Sequence, residues 1–223
     1  MIEFLADLFH PFVAFVQFFL ETFYGFTSAA GFQSYGFAII LLTIFIKVLM
    51  YPLTKKQVES MKGMQELQPK LKKIQEQYKG NPQMLQQRMT ELYKEAGISP
   101  LAGCLPLLIQ MPILMGMFYA LQGYTYPSEA SQVFFWLPSL SDPDPIYVLP
   151  VLSALTTWYQ QKQTTDTQNA QMKMMMIFMP LFIGWISLNF ASGLVLYWVT
   201  MNIVQIAQQW WMNRNKEASA KGA

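Results

Sequence analysis

Nine polar side chains stand inside runs that are otherwise apolar. Thr43, Lys47, Tyr51 and Thr54 are four, four and three residues apart, a spacing that one helical face would carry. Trp198, Asn202, Gln205 and Gln209 form a second stripe of the same kind. Gln110 sits between Pro106 and Pro112, which loosen the local backbone. The chemistry these groups can do is hydrogen bonding around one fixed cation. Nucleophilic catalysis needs a base beside the nucleophile, or paired carboxylates, and these runs hold no Asp, Glu or His. Ion-coupled transport usually places acids at mid-membrane and often shows inverted repeats, and neither is visible in the sequence. The lone histidine, His10, and the lone cysteine, Cys104, exclude a His-cluster metal site, a multi-thiolate site and an internal disulfide. No catalytic residue, metal or cofactor is therefore expected.

Gln110 or Asn202 taken singly is accounted for by hydrogen bonding between helices, as in many membrane bundles. Lys47 demands more. A lysine near a helix centre costs roughly 2.5–3.5 kcal/mol on insertion scales. It lies six residues before Leu53, roughly 9 Å at 1.5 Å per residue, which a snorkelling lysine stem can span. Thr43 extends the polar face a further turn from that end, and no acid inside the runs can pair with the charge. A water-filled cavity open to one side accounts for both facts.

The elements that must position these groups are membrane helices. Of 223 residues, 53% are apolar and 13% charged, about half the charge of an ordinary soluble domain. Apolar runs predict five spans at residues 35–54, 101–121, 146–160, 174–189 and 193–211. Lys47 apart, all fourteen Lys and Arg fall in segments 55–100, 161–173 and 212–223. None falls in residues 1–34 or in the connection 122–145. The positive-inside rule then puts the N-terminus outside, and the long insert, the short loop and the tail in the cytoplasm. A net charge of +2 gives no reason to expect nucleic-acid binding.

The first 24 residues are apolar but lack a basic leader and a small-residue cleavage site, so they do not read as a signal peptide. Glu3, Asp7, His10, Gln17 and Glu21 recur at helical steps, which predicts an external helix lying in the interface and bent at Pro11. A sixth span is the alternative, and it would place a cation-free N-terminus inside. The insert 55–100 predicts a helical hairpin. Its stripes are Met64, Leu67, Leu71, Ile74 and Tyr78, then Leu85, Met89, Leu92 and Ala96. Between them Asn81 suits an N-cap and Pro82 a first helical turn, while Gly97 ends the second arm. Sixteen methionines, several around Met172–Met179 and Met111–Met117, suit either packing or a surface that accepts varied apolar partners. Cys104 reads as a small packing residue.

Several strings then match a known family. MYPLTKKQ (50–57), LQPK (67–70), LYKEAGISPLAGCLPLLIQMPI (92–113), FWLPSL (135–140) and SGLVLYWVTMNIVQIAQQ (192–209) stand in the order and spacing of the YidC-type membrane protein insertases, which this chain resembles over roughly residues 35–210. The resemblance implies an all-α integral membrane protein with five transmembrane helices, a polar groove open to the cytoplasm and closed outside, and a cytoplasmic hairpin. It implies work without nucleotide or metal on nascent membrane-protein clients in the bilayer, alone or beside the Sec translocon, with a ribosome or targeting factor as further candidate partners. The groove residues that follow are Thr43, Lys47, Tyr51, Gln110, Trp198, Asn202 and Gln205. Three departures stand out. Lys47 occupies the place of the family's usual arginine, five residues before Pro52, so the charge is kept and the planar donor fork is lost. Only residues 1–34 stand where some bacterial members carry a large external domain. The tail after Trp211 has three cations, few for ribosome docking. Bacterial inner membrane and thylakoid remain equally open, and the competing reading is a small polar-solute channel or transporter.

Overall fold

The computed structural model describes the backbone of residues 2–97, 105–122, 124–164 and 170–221, and the side chains of 10–97, 108–122, 124–163 and 173–214. Eight α-helices make up the described chain: α1 (Ile2–Ala29), α2 (Tyr35–Leu49), α3 (Tyr51–Gln77), α4 (Pro82–Glu95), α5 (Leu105–Gln122), α6 (Val148–Thr164), α7 (Ala170–Ser187) and α8 (Ser192–Lys221). One 3-10 turn, Glu129–Gln132, lies in the connection between α5 and α6. Cys104 and the first turns of the predicted 101–121 span lie outside the described residues.

Local chemistry sets most of the helix ends. The Ser34 hydroxyl accepts from the Gly36 amide and starts α2. Asn81 accepts from the Met84 amide and starts α4, with Pro82 in its first turn as the sequence predicts. Gly97, at φ +66°, ends α4 in the left-handed conformation that glycine adopts freely. The predicted first span, 35–54, is corrected by Pro52. A proline inside a helix removes one N–H and drives its ring against the carbonyl four residues back, here that of Val48. The helix therefore stops at Leu49, breaks at Met50, and restarts as α3 with a bend of 65°. Tyr51 and Thr54 thus belong to the first arm of the hairpin, not to the helix of Thr43 and Lys47. The later helices overrun their predicted polar ends: α6 continues to Thr164 and α8 to Lys221.

The core runs through α1, α2, α5 and α8 and is capped by the α5–α6 connection. Ile39, Leu42, Val16, Leu20 and Met117 are fully buried, with Tyr197, Leu137 and Leu140 almost so. Helix α1 leans into this bundle: Phe19 stacks on Phe45 at 4.9 Å, ten residues down α2, and Gln17 donates to the Ala120 carbonyl. Its segment His10–Ala29 is also the one described helix long and apolar enough to cross a membrane unaided. Helices α6 and α7 pair closely, with Ala154 against Gly184 and a Ser153–Ser187 hydroxyl contact of 3.0 Å. The hairpin projects from the bundle, and among the described residues α4 buries no side chain.

The connection is fastened to the outer turns of α2 and α8. The Gly193 amide donates to the Leu140 carbonyl at 2.9 Å, and both the amide and hydroxyl of Ser192 donate to the Asp142 carbonyl. Phe134 lies directly over Gly36, where a methyl group would collide with its ring. Gly36→Ala must push Phe134 aside and is expected to lower stability by about 1–3 kcal/mol. Gly25→Ala on α1 meets no neighbouring atom within 4 Å and should instead gain about 0.5–1 kcal/mol. Thermal unfolding of the two variants in detergent, measured side by side, checks the opposite signs.

Candidate functional site

A cavity of about 300 Å³ opens in the half of the bundle nearest the hairpin. Thr43 and Lys47 reach it from α2, Gln110 from α5, Thr157 and Gln160 from α6, and Trp198, Asn202 and Gln205 from α8. Six of the seven residues read from the sequence are therefore brought together. Tyr51 is not: past the Met50 break it turns away and packs against Trp211, ring centres 6.0 Å apart.

Lys47 is the centre of the site. Its ammonium donates to the Gln205 Oε1 at 2.6 Å. An amide is a neutral partner, so the charge is hydrogen-bonded yet not neutralised. Gln208, from the next position on α8 but two, donates to the Lys47 backbone carbonyl at 3.2 Å and ties α8 to the end of α2. Around this pair the walls are held by crossing hydrogen bonds. Trp198 Nε1 donates to the Thr157 hydroxyl at 3.0 Å, and Asn202 Nδ2 donates to the hydroxyls of Thr157 and Thr156 at 3.0 and 3.2 Å. Gln110 Nε2 donates to the Tyr197 phenol at 3.1 Å. Interhelical bonding thus explains the orientation of Asn202 and Gln110, as expected of lone amides in a bundle. Thr43 spends its hydroxyl on the Ile39 carbonyl at 2.6 Å, which leaves its methyl and oxygen edge on the cavity.

The sequence reading missed one whole wall. Gln57, Met61, Met64, Gln65 and Gln68 of α3 line the same cavity, so the first arm of the hairpin roofs its mouth. Their steps of three and four residues were a detectable face. In a segment already rich in glutamine and lysine, however, that face had no contrast. Thr157 was missed for a similar reason, because threonine is unremarkable in a short apolar run. On the opposite side Met175, Met176 and Met179 of α7 complete the wall. The methionine excess is thus placed against the polar stripe, giving a cavity with one polar and one soft apolar side.

Away from the hairpin the cavity ends abruptly. Above the level of Thr43 the next turns of α2, with Leu42, Ile39, Ala38 and Tyr35, are buried, and so are Leu194, Val195 and Leu196 of α8. Tyr35 stacks on Tyr24 at 4.0 Å and shares a 3.0 Å hydroxyl contact with Tyr124, which closes that end with aromatic rings. The arrangement can receive a polar or anionic group from the hairpin side, hold it by hydrogen bonds and charge, and stop it short of the far side. Among the described residues no group of three or more His, Cys, Asp or Glu is placed to hold a metal.

These features coincide with clear similarity to known proteins. A family model described as "60Kd inner membrane protein" matches residues 26–219. A membrane protein insertase YidC of Fusobacterium nucleatum is 45% identical over 179 residues, which is 80% of this chain and 86% of that one. The namesake protein of Maridesulfovibrio salexigens is 40% identical over 203 residues, 88% of this chain but 37% of the relative. A solved structure described as "Active YidC insertase crystal structure with the first transmembrane domain resolved" superposes with a TM-score of 0.70 at 29% identity, covering 91% of this chain and 45% of that one. The chain therefore spans most of one relative and less than half of the other two. An all-helical integral membrane protein with a one-ended cavity and this breadth of similarity belongs to the 60Kd inner membrane protein family, the YidC-type membrane protein insertases.

Proposed function

We propose that this chain inserts client membrane proteins by admitting a short polar segment of the client into the Lys47 cavity from the cytoplasm. The observation that carries this reading is the Lys47 ammonium itself, in a membrane helix, bonded at 2.6 Å to a neutral amide. A translocated segment must leave water, and the work is smaller over a path already lined by polar groups. A fixed cation in a low-dielectric wall attracts acidic or carbonyl-rich segments more strongly than it would in bulk water. Thr43, Gln110, Trp198, Asn202 and Gln205 supply exchangeable hydrogen bonds, and the methionines of α7 give the client's apolar flank a compliant surface. The packed far end supports an insertase over a solute channel, which needs a continuous polar path.

In this reading α2, α5, α6, α7 and α8 cross the membrane, the hairpin and the tail are cytoplasmic, and α1 enters from the outer side without crossing. The hairpin captures clients or docks a partner, with the Sec translocon, a ribosome or a targeting factor as candidates. Cysteines placed at His10 and Glu129 should react with an impermeant maleimide from one side of the membrane, and one at Lys79 only from the other. Reaction of His10 and Lys79 positions from the same side would make α1 a sixth span.

Two functional outcomes follow. Lys47→Arg should keep most activity, because a long cation remains in place. Lys47→Ala should reduce insertion of clients with acidic translocated tails by about tenfold, equivalent to about 1.4 kcal/mol. Lys47→Glu should be worse still for those clients, and neutral-tailed clients should suffer less. Protease protection of tails of graded charge measures the series, and equal insertion by the Lys and Ala forms would reduce Lys47 to a snorkelling lysine. Deleting residues 60–94 removes most of the α3 wall and all of α4 but Glu95, and should impair insertion more than it lowers the thermal midpoint of the bundle. Full insertion activity by the deleted form would make the arm dispensable.

A further inference from the structure

The α5–α6 connection carries a feature that the cavity does not use. Two bulky residues in it, Phe135 and Tyr147, hold left-handed backbone at φ 51° and 61°. Such a conformation is a genuine outlier for an aromatic residue and is kept only where the surroundings enforce it. Phe134 and Leu137 exchange both backbone hydrogen bonds, at 2.9 and 2.8 Å, so Phe135 and Trp136 are the two corner residues of a tight turn. The first corner of such a turn, when its φ is positive, ordinarily belongs to glycine. Here it is phenylalanine, and its ring is 73% exposed.

The strain does not serve the core. Phe134, next in the chain, is buried against Gly36, and the turn throws Phe135 outward beyond it. Trp136 is held at the same edge by a hydrogen bond from its Nε1 to Asp144 Oδ1 at 3.2 Å. Asp144 also accepts from the Ile146 and Leu149 amides, so this buried carboxylate turns its charge inward and fixes the backbone on either side of Tyr147. Val133, Phe135, Trp136, Ile146 and Tyr147 are thus all exposed, while the acid between them is hidden.

On the reading proposed above, in which α6 crosses the membrane, the exposed side chains continue an apolar face that lipid covers. Val151, Leu155 and Tyr159 are exposed at steps of four along α6, and Tyr147, also exposed, immediately precedes its first residue, Val148. At the other edge Phe135 lies 6.0 Å from Phe37 of α2, itself 5.0 Å from the exposed Phe32. Trp and Tyr, with apolar bodies and polar tips, suit the headgroup boundary of a bilayer, and an exposed Phe beside them adds apolar surface on its lipid side. We propose that the Phe135–Trp136 turn and Tyr147 form an aromatic anchor that seats the end of the bundle opposite the hairpin in the interfacial region of the lipid bilayer.

The test places a nitroxide label at position 135 or 147 through Phe135→Cys or Tyr147→Cys, with Cys104→Ser removing the native thiol, in the full chain reconstituted in phosphatidylcholine–phosphatidylglycerol vesicles. Labels at Val151→Cys and Glu129→Cys serve as lipid and water references. Collision with oxygen should exceed collision with a water-soluble nickel chelate several-fold at 135 and 147, as at 151 and in contrast to 129. Values at 135 and 147 matching those at 129 would overturn the proposal, since the rings would then face water. Phe135→Gly supplies an independent reading. Glycine accepts the backbone without strain, so its thermal midpoint in detergent should equal or exceed that of the native chain. In vesicles the same change should shift a label at Trp136 towards the aqueous reference. A fall in the detergent midpoint with no shift of the label would assign Phe135 to packing and remove the anchor.

Discussion

The residues around the cavity are arranged about the Lys47 ammonium, which is hydrogen-bonded yet not neutralised. A carboxylate within reach of Lys47 would form a tight low-dielectric pair and leave the cavity nothing to offer an incoming anion. The glutamine at 2.6 Å satisfies one donor and leaves the field intact. That choice constrains the neighbours. The walls must be polar enough to hold hydrogen bonds, which the Thr157–Trp198–Asn202 set provides. They must also be rigid enough to keep the cavity from collapsing onto the charge. Gln208, reaching from α8 to the Lys47 carbonyl, supports the end of α2 where the helix breaks.

The break at Met50 serves the same constraint. A straight continuation of α2 would have carried the hairpin's first arm away along the bundle axis. The 65° turn instead swings α3 across the mouth, so that Gln57, Gln65 and Gln68 extend the polar lining beyond the membrane helices. One proline therefore separates the helix that carries Lys47 from a cavity roof. The opposite end has no such device. Its turns are filled by leucine and aromatic side chains, with the Tyr24–Tyr35–Tyr124 contacts outermost. Tyr126 packs edge-on against Tyr35 with ring centres 5.1 Å apart, and burial pushes its phenol upward from the ordinary range.

How much of this the sequence disclosed depends on contrast. Lys47, Thr43, Gln110, Trp198, Asn202 and Gln205 were legible because each is polar against an apolar background. The Asn81–Pro82 helix start was legible because capping is a local contact. The α3 wall was not legible, because glutamine at helical spacing among lysines looks like a solvated face until a partner surface is seen. Tyr51 was misplaced by arithmetic that assumed an unbroken helix through Pro52. The methionines of α7 were visible as an excess, but which side of the helix met the polar stripe was a tertiary fact. Helix ends at Thr164 and Lys221 overran the apolar runs because nothing in the sequence after them stops a helix at the membrane boundary.

A site that must both take up and release its occupant cannot be optimised for binding alone. Every interaction offered here is of a kind that water or a neighbouring side chain can replace. Amide and hydroxyl hydrogen bonds contribute about 0.5–1.5 kcal/mol net each. Methionine surfaces adapt without demanding one shape. The lone cation is the exception in strength, and it sits one turn short of Thr43, where the lined part of α2 meets the packed half of the bundle. In the proposed reading a segment drawn in by Lys47 is therefore held close to the end of the polar lining. Its remaining route in that reading is sideways, past Met175, Met176 and Met179 of α7 and into lipid, where its own hydrophobic flank provides the driving force. In the proposed reading the closed end turns an electrostatic attraction towards the far side into lateral delivery.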